Sequence, residues 1–117
     1  MGVVYVKLKV VGPKGDFKLN RFLVDSGAVY SQLPAEDWKA IKLTPQNQME
    51  FTLADGTAII LDVAECTFEY KGISRHSPVI LGDKGDPALL GAVTLETMGL
   101  VLNPFKRTLQ PMQMMLA

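Results

Sequence analysis

The sequence predicts a mainly β domain with one short helix in its C-terminal half. Three observations carry this. Apolar and polar residues alternate with a period of two in several segments. Turn-forming clusters of Gly, Pro, Asp and Asn interrupt the chain at short intervals. The 117 residues, 48% apolar and 21% charged, amount to one globular domain (residues 1–117) with material for a core.

The elements follow in order. Val4, Val6, Leu8 and Val10 are apolar while Lys7 and Lys9 fall between them, as in a half-buried strand. Gly12-Pro13-Lys14-Gly15-Asp16 is a turn, and Phe17 to Val24 reads as the returning strand. Extended structure resumes at Gln32-Leu33. Pro34 to Ile41 has the early Pro and acids of one or two helical turns. Met49 to Ala54 is a strand closed by Asp55-Gly56, a strong hairpin signal. Thr57 to Tyr70 is a long strand, with Ile60, Ala64, Cys66, Phe68 and Tyr70 on one face and Asp62 as the exception there.

Lys71-Gly72 turns the chain and Ile73 to Leu81 returns it. Gly82 to Pro87 is a polar loop, and Ala88-Leu89-Leu90 a short apolar run ending at Gly91. Ala92 to Met98 is the helix, with Gly99 as its C-terminal cap. Leu100 to Leu102 and Lys106 to Leu109 are further strands. The tail from Pro111 to Ala117 is apolar and carries Met112, Met114 and Met115, suited to packing or an interface.

Composition narrows the function. Twelve basic and twelve acidic side chains cancel, so nothing favours a polyanion, and neither nucleic acid nor an anionic membrane is expected as a partner. Lys7 and Lys9 break the apolar start, so it reads as neither a signal segment nor a membrane span, and the expected location is the cytoplasm. One Cys excludes an internal disulfide framework, and one His leaves little for His-based metal or nucleophile chemistry. Cys66 is expected as a buried inert thiol, His76 at the surface, and Trp38 packed under the first helical turn. Asp83 and Asp86 match no complete calcium loop, so no metal or cofactor is expected.

The segment that carries chemistry is Phe22-Leu23-Val24-Asp25-Ser26-Gly27-Ala28. An apolar strand runs directly into an acid, a hydroxyl and a glycine. On its own the tripeptide suits both a turn and a placed functional carboxylate. Leu23-Val24-Asp25-Ser26-Gly27-Ala28-Val29 is echoed by Leu89-Leu90-Gly91-Ala92-Val93, where Gly-Ala-Val again follows an apolar pair.

Together with Ser31-Gln32-Leu33-Pro34, Leu53-Ala54-Asp55-Gly56-Thr57, Leu95-Glu96 and Leu100-Val101-Leu102-Asn103-Pro104, these segments resemble the retropepsin-like aspartic proteases over nearly the whole chain. The likeness is to the single-domain cellular members. It implies a closed, mostly β barrel, a pseudo-twofold relating the two echoing segments, and a homodimer. One chain holds one Asp-Ser-Gly, whereas the chemistry takes two carboxylates, so Asp25 would meet its own symmetry mate. The pair would share a proton and activate water for peptide-bond hydrolysis.

By the same resemblance Ser26 braces the paired loops, Gly27 offers its carbonyl to an extended peptide and Ala28 leaves room for it. Asp55, Gly56 and Thr57 would form the tip of a flap over the substrate. Two departures stand out. Retroviral members carry an acid two residues after the motif glycine and an Arg after the late glycine; here those positions are Val29 and Ala92. The alternatives are a catalytically weak retropepsin-like dimerisation or peptide-binding module, and an unrelated small β-barrel in which Asp25 only shapes a turn.

Overall fold

A computed structural model describes residues 3–113. Strand β1 (Tyr5–Val11) turns back as β2 (Phe17–Val24), in antiparallel register from Tyr5↔Leu23 to Val11↔Phe17. Its alternation is as the sequence predicts: Val6, Leu8 and Val10 are buried and Tyr5 and Lys7 exposed. After the Asp25 loop come β3 (Ser31–Leu33) and helix α1 (Ala35–Ala40). Then β4 (Asn47–Thr52) and β5 (Ala58–Tyr70) form a hairpin, and β6 (Ile73–Leu81) returns along β5. The chain closes with β7 (Leu89–Leu90), α2 (Ala92–Met98), and the hairpin β8 (Leu100–Asn103) and β9 (Thr108–Pro111).

The main sheet has the order β1-β2-β7-β3-β6-β5-β4, and β5 also pairs with β1 through Lys9↔Glu69 to Val11↔Thr67. Six strands therefore form a ring, with β4 attached outside it on β5. Most neighbours are antiparallel; β2–β7 and β3–β6 are parallel. The core fills the ring with Leu8, Val10, Phe22, Leu33, Phe68, Val79 and Leu90. Phe22 and Phe68 meet as tilted rings, centroids 5.9 Å apart. Burying each such side chain contributes about 1.5–3 kcal/mol, far more than the half-exposed Lys9–Glu69 ion pair at 3.7 Å.

Both helices are held by specific contacts. In α1 the Trp38 indole N–H donates to the Gly82 carbonyl at 2.8 Å, tying the helix to the loop after β6. Asp37 is buried and accepts from the Asn20 side chain on β2. In α2 Thr94, Leu95 and Met98 face inward. Gly99 ends the helix at φ 67°, a left-handed C-terminal cap that glycine enters without a Cβ penalty. Among the described residues no helix is long and apolar enough to cross a membrane.

Three expectations are corrected. Ile60 is 66% exposed, not on the inward face with Phe68, because the first half of β5 runs out of the ring as an arm paired only with β4. The last strand starts at Thr108, two residues late. The Asn103 carboxamide oxygen accepts from the amides of Phe105 (3.0 Å) and Lys106 (3.1 Å), and Arg107 sits at φ 55°, so this segment is a turn. Helix α1 is formed over Ala35–Ala40, so the described residues hold two helices and not the one in the C-terminal half alone. Pro111 ends β9, and the amide of Met112 reaches the Gly99 carbonyl at 2.8 Å. Met112 is half-buried; Met114 and Met115 lie outside the described residues.

Candidate functional site

The echo in the sequence is a spatial neighbourhood. Leu23-Val24 at the end of β2 lies parallel to Leu89-Leu90 of β7, in register Leu23↔Leu89 and Val24↔Leu90. The two apolar pairs end side by side. From there β7 goes directly through Gly91 into α2, whereas β2 spends two extra residues, Asp25 and Ser26, before its own glycine. Those two residues make the loop that carries Asp25 out of the sheet, and Asp25, Ser26 and Gly27 are exposed while Ala28 is half-buried.

Main-chain bonds pin this loop. The Asp25 amide donates to the Leu90 carbonyl at 3.0 Å, and the Ala28 amide donates to the Asp25 carbonyl at 3.1 Å. The Gly27 amide donates to Asp25 Oδ1 at 3.0 Å, which orients the carboxylate without burying it. On the other side, the amides of Ala92 and Val93 donate to the carbonyls of Ala28 (2.8 Å) and Val29 (2.9 Å). Helix α2 has no side-chain N-cap, so the loop's carbonyls satisfy N–H groups that a helix start leaves free. Val29 and Ala92, where retroviral enzymes place charges, thus sit at a junction made by backbone.

Gly91 is where the two segments pack most closely. A Cβ there would lie 2.6 Å from the carbonyl carbon and oxygen of Tyr30 and 3.0 Å from the Ala28 carbonyl oxygen. Its φ of −97° is open to any residue, so close approach of backbone and not conformation demands glycine. Beneath it lie three buried hydroxyls, those of Ser31, Thr94 and Ser77, with the Gly91 amide donating to Ser31 Oγ at 3.0 Å. Sequence reasoning missed these three. They are small polar residues on two strands and a helix, 17 to 63 positions apart, with no local pattern to join them.

Asp55, Gly56 and Thr57 form the exposed turn of the β4–β5 hairpin. Gly56 is at φ +88° with open space around it, so conformation requires glycine. The Leu53 amide reaches the Thr57 carbonyl at 2.8 Å, and the Thr57 amide donates to Asp55 Oδ1 at 2.9 Å. The Thr57 side chain and then its amide hold the Asp55 carboxyl below the usual carboxylate range. Among the described residues no hydrogen bond joins this turn to the Asp25 loop. The link is aromatic: Tyr30 meets Phe51 of β4 edge-on, centroids 5.7 Å apart at 89°. Three exposed apolar side chains, Val29, Leu53 and Ile60, belong to the loop and the hairpin arm.

On the opposite flank, Ser26 borders a mostly apolar groove of about 460 Å³ between α2 and the β8–β9 hairpin, lined by Leu95, Glu96, Leu100, Leu102 and Met112. The remaining polar candidates lie elsewhere. His76 is exposed on β6. Cys66 is buried, and loss of solvation pushes its thiol up to about 12. Asp86 Oδ2 accepts the Asp83 amide at 2.7 Å and shapes its own loop. Among the described residues no three His, Cys, Asp or Glu side chains cluster as a metal site would need. No family model matches the chain, and no curated protein matches it.

Proposed function

We propose that the protein is a retropepsin-like aspartic endopeptidase that works as a homodimer in the cytoplasm, with Asp25 of each chain forming the catalytic pair. The observation that carries this is the loop itself. A solvent-facing carboxylate stands where two parallel apolar strands end together, on a turn fixed by main-chain bonds to Leu90, Ala92 and Val93. The Gly27 amide on Asp25 Oδ1 shapes this turn and leaves the carboxylate facing solvent, where a second chain could meet it. The groove beside Ser26, with Val101 exposed at its rim, is an apolar surface next to the Asp25 loop that a partner chain could cover.

The chemistry follows from like charges. Two carboxylates in contact hold one proton between them. The ionised member takes a proton from a water lying between them as the water oxygen bonds to the peptide carbonyl carbon. The protonated member gives its proton to the carbonyl oxygen. The resulting tetrahedral gem-diol collapses as one hydroxyl proton returns to a carboxylate, the nitrogen is protonated and the C–N bond breaks. No covalent acyl-enzyme forms. Gly27 would take one side of the extended polypeptide, and the hairpin tip at Asp55, Gly56 and Thr57 the other, through strand-like main-chain bonds.

The test is cleavage of a mixed peptide library by the wild type and by Asp25→Asn. The variant is expected to keep its fold and lose all cleavage, and a statine-type transition-state mimic is expected to inhibit the wild type. Persisting cleavage in Asp25→Asn would refute the assignment. One observation favours a second reading, a retropepsin-like dimerisation or peptide-binding module of little activity: the uncharged Val29 and Ala92 leave the loop junction without an ion pair. That reading predicts peptide binding without cleavage by the wild type.

A further inference from the structure

The chemistry proposed above leaves three hydroxyls unused. Ser31, Thr94 and Ser77 are at most 1% exposed and lie in a line beneath the Asp25 loop. They belong to β3, α2 and β6, and so tie three separate elements together. The Gly91 amide donates to Ser31 Oγ at 3.0 Å. Ser31 Oγ and Thr94 Oγ1 are 2.5 Å apart, and Thr94 Oγ1 and Ser77 Oγ 2.8 Å. Ser77 Oγ reaches the Pro78 carbonyl at 3.2 Å.

The proton order along this line is determined by its ends. The Gly91 amide can only donate, and the Pro78 carbonyl can only accept. Each hydroxyl between them has one proton. Ser77 therefore donates to Pro78 and accepts from Thr94, Thr94 accepts from Ser31, and Ser31 accepts from Gly91. All three hydroxyls are satisfied in one direction only, with Thr94 as the one group that both neighbours need.

We infer that Thr94 is a positioning residue for the Asp25 loop. It acts through Ser31 on Gly91, whose neighbours Leu90, Ala92 and Val93 hold the loop at Asp25, Ala28 and Val29. Its importance for turnover rests on the reading of Asp25 as the catalytic acid. Its effect on the loop does not.

Thr94→Val keeps the shape of the side chain and removes both of its hydrogen bonds. Amide hydrogen exchange, resolved by residue, is compared among wild type, Thr94→Val and Thr94→Ser, with Ser77→Ala as the milder break in the same line should Thr94→Val fail to fold. The broken variants are expected to exchange the amides of Asp25, Ala28, Ala92 and Val93 about 10- to 100-fold faster. Val10 and Phe22, in the core strands, are expected to keep their rates, and Thr94→Ser to restore the loop. On a cleaved peptide kcat falls about tenfold with KM within about twofold. Unchanged loop exchange, or an equal rise at Val10 and Phe22, overturns the positioning role. A wild type that cleaves no peptide sinks the protease reading, while the exchange comparison still decides whether Thr94 holds the loop.

Discussion

Replacing Gly91 by Ala tests how closely the Asp25 loop is packed. The new Cβ would meet Tyr30 backbone atoms at 2.6 Å and the Ala28 carbonyl oxygen at 3.0 Å, well inside contact distance. Because the neighbours are main chain, no rotamer change relieves the clash, and the loop must move. That motion strains the bonds from Ala92 and Val93 to the loop. Overpacking of this kind costs about 2–3 kcal/mol. Unfolding entropy near 2.1 cal/mol/K per residue gives about 0.25 kcal/mol/K for 117 residues, so Tm is expected to fall by about 10 °C. Gly85 is the control, at φ +84° with nothing within 4 Å. There Ala costs about 1–2 kcal/mol from conformation alone, and a larger polar side chain costs little more. At Gly91 the cost climbs with side-chain size. Thermal unfolding followed by circular dichroism reads both series. A Gly91→Ala protein with Tm within about 2 °C of wild type would refute the packing argument.

Other outcomes follow from the same structure. Phe68→Ala removes a fully buried ring that meets Phe22 at a tilt and is expected to cost about 3–5 kcal/mol in urea unfolding. The Cys66 thiol, raised from 9.0 to about 12 by burial, favours the fold fully below pH 9. That contribution is lost as pH rises toward 12, up to about 4 kcal/mol, and Cys66→Ala is expected to flatten this part of the stability curve. Native protein should resist iodoacetamide at pH 8, and urea should restore reactivity. The Asp55 carboxyl is shifted downward, so its support of the hairpin turn is present above pH 4 and lost as pH falls through its folded value. Asp55→Ala is expected to speed exchange at Thr57 near neutral pH and to make no difference in strong acid.

Much of this fold is legible in short-range pattern. Alternation marks Val6, Leu8 and Val10 as inward, and Gly72 and Gly99 mark the ends of β5 and α2, because those signals depend on residues within a few positions. The Asp25 loop is legible too, since an apolar strand running into Asp-Ser-Gly is local and its echo at Leu89-Leu90-Gly91 sits directly beside it. Other features depend on distant partners. Ile60 continues the inward alternation of β5, yet it projects into solvent because no strand but β4 flanks that arm. Asp37 looks like an ordinary acid in a first helical turn, yet it is buried, and its side-chain partner there is Asn20 on the distant β2. The meeting of Ser31, Thr94 and Ser77 depends on β3, α2 and β6 converging. Likewise, Tyr30 and Phe51, 21 positions apart, become neighbours only in the folded chain.

The pairing of Asp25 across a twofold axis is tested most directly by mixing chains. Wild-type protein is combined with increasing amounts of Asp25→Asn at constant wild-type concentration, allowed to exchange subunits, and assayed on a cleaved peptide. If two Asp25 carboxylates from two chains make one site, mixed dimers are silent. Activity per wild-type chain then falls in proportion to the wild-type fraction of all chains. Activity that stays constant as the variant is added would contradict a shared site and the homodimeric mechanism with it.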